Sequence, residues 1–294
     1  VAETEKKSFA LTEVMLVFAA VFWGGNYAVT KYAAEFLPPI MIVTLRFAGG
    51  ALLLLLVLRV FEPESRLRRG EILPMAALGC LGMAAAQTAF TFGVSMTSAT
   101  NTGLVFATAP IWGLLVGFAL GWERPTWTGI LGIALSISGI AAVFYDGFGD
   151  EGASLSGDLL VLVAAVAVGL YTVFSLPMLE RHTPLAVATY PTAFGAPFVA
   201  IFALPQIPSF DFADVGAGAW VAVAYSAVLA TAFTFAAWQV GIRRIGANRV
   251  LVYQYLITLT GVASGIIFFG ESLGWNKIIG GFVILVGIYL ARRR

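Results

Sequence analysis

Apolar stretches of about twenty residues, each long enough to span a bilayer, follow one another along almost the whole chain. Short clusters of charge, proline and glycine interrupt them. The stretches fall at 11–33, 38–60, 72–94, 99–121, 126–145, 157–177, 184–205, 216–240, 247–269 and 275–291. The pattern therefore predicts ten membrane-spanning helices joined by short loops. The longest loop, around Asp146–Gly157, is acidic. Pro38-Pro39 and the pair Pro205 and Pro208 fall at span ends, where a missing backbone donor costs least. The stretch from Val1 to Glu13 is charged, and the apolar run after it reaches Val29. That run is too long for a signal-peptide core, so it reads as a retained first span.

Composition agrees. Only 33 of 294 residues are charged (11%), 60% are hydrophobic, and the mean hydropathy is +0.91. Soluble domains carry about 25% charged residues, so a water-soluble globular fold is excluded. The net charge of +1, with arginines scattered, gives no footprint for a nucleic-acid partner. Cys80 is the one cysteine and His182 the one histidine, so no internal disulfide, metal set or cofactor site is expected. No Ser/His pair or carboxylate dyad lies at depth, which argues against an enzyme.

The placement of the charges sets a topology. With the N-terminus inside, one face collects Lys6, Lys7, Arg59, Arg66, Arg68, Arg69, Arg124, Arg181, Arg243, Arg244, Arg249 and Arg292 to Arg294, which is 14 of 17 basic residues. The other face has Lys31 and Lys277, while Arg46 lies about two turns inside the second span. Both termini are expected on the basic, cytoplasmic side. Four of the seven tryptophans, Trp122, Trp127, Trp220 and Trp275, fall near span ends and suit interfacial anchors.

The halves resemble each other. Thr88 to Phe92 recurs as Thr231 to Phe235, an offset of 143. At an offset of 148, Ala99, Gly113, Gly117, Glu123, Trp127, Gly132 and Gly139 match Ala247, Gly261, Gly265, Glu271, Trp275, Gly280 and Gly287. Residues 1–150 and 151–294 thus form two five-span repeats. Five is odd, so the copies enter the membrane from opposite sides, the architecture of secondary transporters with a site between the halves.

Several motifs resemble the drug/metabolite transporter superfamily in its ten-helix EamA-type branch. They are Trp23-Gly24-Gly25-Asn26-Tyr27 with Lys31, Pro38-Pro39 followed by Arg46, Pro110, the stretch Gly121 to Gly132, and Gly270-Glu271 with Trp275 and Gly280. Thr258 departs from the pattern, standing where that family often has proline, and Arg46 has no partner in the second half. The resemblance is nearest to the YddG-type exporters of aromatic amino acids in bacterial inner membranes. It implies an all-α 5+5 inverted repeat around a central cavity, alternating access, and export of amino acids or related metabolites.

The residues themselves support a weakly polar, aromatic pathway. Trp23, Asn26, Tyr27 and Thr30 share one face of the first span. Gln87 and Thr91 pair at i, i+4 in the third, Asn101 and Trp112 lie in the fourth, and Gln254 and Thr258 pair in the ninth. Tyr171, near the repeat equivalent of Tyr27, joins Trp238 and Tyr253 as a candidate. Each has an alternative role in packing between helices. For Arg46 a structural bond to helix-end carbonyls or Glu35 is favoured over contact with a substrate carboxylate. Glu123 and Glu271 are read as fixing hairpin turns. Glycines 113, 117 and 121 in the fourth span, and 261 and 265 in the ninth, read as packing stripes. Flat organic cations are an alternative substrate class, with a channel as a further alternative, and the oligomeric state is left open between monomer and dimer.

Overall fold

The computed structural model describes residues 2–121, 124–146, 154–250 and 252–292. All its regular structure is helical. In chain order the spans are α1 (Ala2–Ala33), α2 (Pro39–Phe61), α3 (Arg69–Met96), α4 (Ala99–Ala119), α5 (Trp127–Asp146), α6 (Leu155–Arg181), α7 (Pro184–Ala203), α8 (Ala217–Ile245), α9 (Ala247–Val250 and Tyr253–Phe269) and α10 (Trp275–Arg292). Eight described helices are long and apolar enough to cross a membrane, and the apolar helices Tyr253–Phe269 and Trp275–Ala291 complete the ten. Apart from the start of α1, which extends back into the charged N-terminal stretch, the hydropathy boundaries hold to within about five residues. Large apolar side chains such as Leu73, Ile267, Phe268 and Phe282 point outward, where only lipid can cover them. Trp127 and Trp275, at helix starts, are the most exposed tryptophans among the described residues, as belt anchors should be. Trp122 and Glu123 lie outside the described residues.

Three described spans are interrupted well inside their ends. α4 breaks between Phe106 and Ala109, just before Pro110, whose missing N–H removes a rung of the ladder. At the equivalent place α9 carries Thr258 and runs unbroken, with the Thr258 hydroxyl donating to the Gln254 carbonyl (3.0 Å). The departure seen in the sequence thus has a structural consequence. α3 and α8 each contain a π-helical segment, Leu78–Ala84 and Val228–Phe233. These segments correct the repeat register. They lie about 149 residues apart, close to the 148 that relates Ala99 to Ala247. The match of Thr88–Phe92 with Thr231–Phe235 at 143 is therefore a chance similarity in an apolar sequence.

The inversion is most direct where α5 crosses α10. A side chain at Gly139 would fall 2.7 Å from the Gly280 carbonyl oxygen, and one at Gly287 would fall 2.6 Å from that of Gly132. Each residue thus meets the repeat equivalent of the other's partner, which is the rule at a two-fold axis. Ser136 and Ile284, themselves 148 apart, meet in the middle, Oγ 3.5 Å from the carbonyl. The remaining packing follows the same exchange: α1 packs on α8 and α9 as α6 packs on α3 and α4, and α2 lies on α7. The expected boundary between repeats, at residue 150, falls outside the described residues. The expected stripe on α4 divides: Gly113 meets Gly169, Gly117 faces a cavity, and Gly121 lies past the helix end at φ +70°.

Close approach at the α5–α10 crossing leaves no room for a side chain. Gly280→Val should destabilise the protein by about 1–3 kcal/mol through overpacking. Gly70→Ala, whose added methyl meets nothing within 4 Å, should change nothing. Thermal unfolding in detergent checks both, and equal midpoints would contradict the tight crossing.

Candidate functional site

A cavity of about 710 Å³ lies between the halves. Every span except α5 and α7 contributes to its wall. Its lining runs from mid-membrane to Gly117, Phe118, Arg124, Thr126 and Ala291, at the face that carries most of the basic residues.

The opposite end is tied shut. Glu271, after α9, does more than fix its own hairpin. Its carboxylate accepts from the backbone N–H groups of Ala99 and Thr100 (2.8 Å each), capping α4, and from Lys31 Nζ (2.9 Å) at the end of α1. A carboxylate at a helix N-terminus is favoured by the helix dipole. Burial pushes the Glu271 carboxyl up, but the hydrogen bonds from Lys31, Thr100 and Ala99 outweigh it and hold it below the usual carboxylate range. Beside it, Asp158 of α6 accepts from Thr97 Oγ1 (2.6 Å) and Asn101 Nδ2 (3.1 Å).

The apolar wall is aromatic. Trp23 packs against Trp238 and Phe235, with ring centroids 5.1 and 5.9 Å away, and its indole N–H donates to the Ala230 carbonyl in the π segment of α8 (2.8 Å). Tyr27, Phe90 and Phe106 form a second cluster at 5.3 to 6.3 Å. Such rings offer flat apolar contact area at fixed orientation.

The polar wall is mostly amide. Asn26 Oδ1 accepts from the Ser226 hydroxyl (2.7 Å). Gln239 Nε2 reaches Tyr171 Oη (3.4 Å), leaving its Oε1 without a partner, and Gln254 Nε2 has none either. Arg46 is 1% exposed and lines the same cavity. Its Nε donates to Thr231 Oγ1 (2.7 Å), while Nη1 is buried without a partner. No Asp or Glu among the described residues lines the cavity.

Of the residues expected at the site, the structure brings Trp23, Asn26, Tyr27, Gln87, Tyr171, Trp238 and Gln254 to the cavity wall. Five others lie elsewhere. Thr91 and Thr258 turn their hydroxyls back to carbonyls one turn earlier, Gln87 and Gln254 respectively. Asn101 belongs to the Asp158 cluster. Trp112 packs between α4 and α6, its indole N–H on Thr108 Oγ1 (3.1 Å). Tyr253 packs with a buried cluster that includes Ala20 and Ile257. Tyr171 is not quite the equivalent of Tyr27. Gly24 meets α9 at Ile257 and Gly169 meets α4 at Ala109, which places Tyr171 opposite Asn26 in the repeat. Arg46 lines the cavity and bonds to Thr231 in place of the helix-end carbonyls or Glu35 expected as its partners. Phe90, Phe106, Phe235 and Gln239 were missed. Helical spacing from Gln87 and Trp238 could have found two of them, Phe90 and Phe235.

Fold and cavity together define an inverted-repeat membrane carrier. The chain belongs to the EamA-like transporter family, whose model matches residues 10–145 and 155–293. An uncharacterized transporter of Archaeoglobus fulgidus is 24% identical over 96% of this chain and 98% of its own. A probable terminal-alkyne amino-acid exporter of Streptantibioticus cattleyicolor is 30% identical over 77% of this chain and 75% of its own. The uncharacterized transporter YyaM of Bacillus subtilis is 25% identical over 95% and 92%. A crystal structure with a TM-score of 0.67 covers 94% of each chain at 17% identity and shows the same fold. The protein is a multi-pass secondary transporter of small metabolites, with the fold and family of a carrier and not of an enzyme.

The Glu271 tie yields a directional expectation. Because its carboxyl is held low, the tie is complete above the ordinary carboxylate range and is lost as pH falls through the lowered value. Glu271→Gln should loosen it at neutral pH. In a Cys80→Ser background, a cysteine at Gln87 should react with an impermeant maleimide from the Lys31 face about tenfold faster in the Glu271→Gln variant. Unchanged labelling would show that Glu271 does not hold that face closed.

Proposed function

We propose that the protein exports amino acids, aromatic and other neutral ones, by alternating access from the cytoplasm across a bacterial inner membrane. The observation that carries this reading is the cavity: two aromatic clusters and uncharged amides around a space open toward the basic face. The distribution of Lys and Arg supports reading that face as cytoplasmic, with both termini inside and the cavity in an inward-facing state. The relative described as a probable terminal-alkyne amino-acid exporter supports the amino-acid class. The resemblance to aromatic amino-acid exporters supports the aromatic preference.

Flat organic cations fit the rings but not the charges. Arg46 and Arg124 line the cavity and no described carboxylate offsets them. With no described acid on the wall, the reading includes solute running down its own gradient without proton coupling.

The test is transport in liposomes. Counterflow of labelled tryptophan should be rapid in the wild type, which also separates a carrier from a channel. It should fall about tenfold in Trp23→Ala, Tyr27→Ala and Gln254→Ala. Leu73→Ala on the lipid face should leave it intact. Unchanged flux in all three cavity variants removes them from the site, and uptake driven by a pH gradient alone refutes uncoupled transport.

A further inference from the structure

Arg46 is held by one atom only. The Thr231 hydroxyl accepts from Arg46 Nε (2.7 Å) and donates to the Ser226 carbonyl (2.8 Å), so the head group is fixed in orientation along its Nε edge. Glu35, the nearest candidate in sequence, is not among its partners, and no carboxylate among the described residues pairs with it. Its Nη1 is buried with no hydrogen-bond partner. Such a group in a low-dielectric interior is costly, and nearly all buried donors are satisfied. A guanidinium with one edge docked and a terminal amine unoccupied, on the wall of the cavity, matches a planar carboxylate acceptor.

We infer that Arg46 is the anchor for the carboxylate of the transported solute, so that the site selects molecules bearing a free carboxylate on a flat apolar body. This rests on the amino-acid reading above and narrows it. The unpartnered Gln239 Oε1 on the same wall offers a neutral acceptor for an ammonium, which the positive lining does not otherwise favour. The carboxylate is therefore the required group and the amine the dispensable one. A solute carrying the amine alone meets two arginines and no described acid, and is rejected.

Four indole compounds separate the possibilities: tryptophan, indole-3-propionate (carboxylate only), tryptophanamide (amine, no carboxylate) and tryptamine (amine only). Each is added as a competitor of labelled tryptophan counterflow in liposomes, and its own binding to the detergent-solubilised protein is measured by calorimetry. Tryptophan and indole-3-propionate should bind about tenfold or more tightly than tryptophanamide and tryptamine. Arg46→Gln should erase that ratio by weakening only the two carboxylates, and Arg46→Lys should restore part of it. Equal binding of all four to the wild type overturns the anchor while leaving the amino-acid reading standing. Failure of all four to bind overturns both. Equal weakening of all four in Arg46→Gln assigns the residue to architecture alone. The wild-type comparison needs no variant, so a poorly folding Arg46→Gln protein does not block the test.

Discussion

Inside a bilayer the backbone must satisfy its own polar groups, and irregular backbone is tolerated only where something else takes over the bonding. The π segment of α8 shows what this constraint makes available. Its Ala230 carbonyl accepts from the Trp23 indole, and Thr231 links the Ser226 carbonyl to Arg46. The Ser226 side chain meanwhile reaches Asn26. Three cavity residues from α1 and α2 are thus fixed by one short stretch of a third helix. A regular helix at that point would keep its carbonyls for itself, and the wall would lose the contacts that orient its largest ring and its most buried charge.

That dependence explains which parts were legible in the sequence. Ten spans and their ends follow from hydropathy, because the bilayer imposes one length on every helix. The lipid-facing surface and the tryptophan anchors are readable for the same reason. The cavity wall was readable only where polar or large aromatic side chains shared a helical face, as on α1. It failed for Thr91 and Thr258 because a hydroxyl can satisfy itself on its own helix, and nothing in an i, i+4 spacing distinguishes that from an outward-facing pair. Asn101 failed for another reason. Its partner Asp158 lies on a different span, 57 residues away. The partner of Arg46 was not legible because it is Thr231, whose position is set by a π segment that leaves no mark in the composition.

The scaffold is symmetric but its details are not. Pro110 breaks α4, while Thr258 lets α9 continue at the equivalent point. Asn26 accepts from Ser226, while Tyr171, its repeat equivalent, accepts from Gln239 of the same helix α8. Arg46 has no counterpart. An aromatic amino acid, the proposed substrate, has one carboxylate and one aromatic end, so a site serving it would gain from unlike halves, even though the frame that encloses it repeats. The duplication supplies the frame, and local departures from it supply the recognition.

The proposed alternating access would also need a part that both states share. Exchange of the two repeats' conformations about the pseudo-two-fold axis maps the α5–α10 pair onto itself, since Ser136 and Ile284 meet on that axis. These two helices are joined through glycines at backbone-to-backbone distance, and no described side chain of α5 lines the cavity. Their packing can therefore persist while the surrounding spans change places around the solute. The tie at Glu271 belongs to the opposite category: it joins α1, α4 and the α9–α10 loop through a handful of charge-assisted bonds. Such bonds are strong when desolvated and are readily replaced by water, which suits a contact that must form and break in every cycle. On the proposed alternating-access cycle, glycine packing and charged ties would therefore divide the work, one holding the repeats together and the other deciding which face is closed.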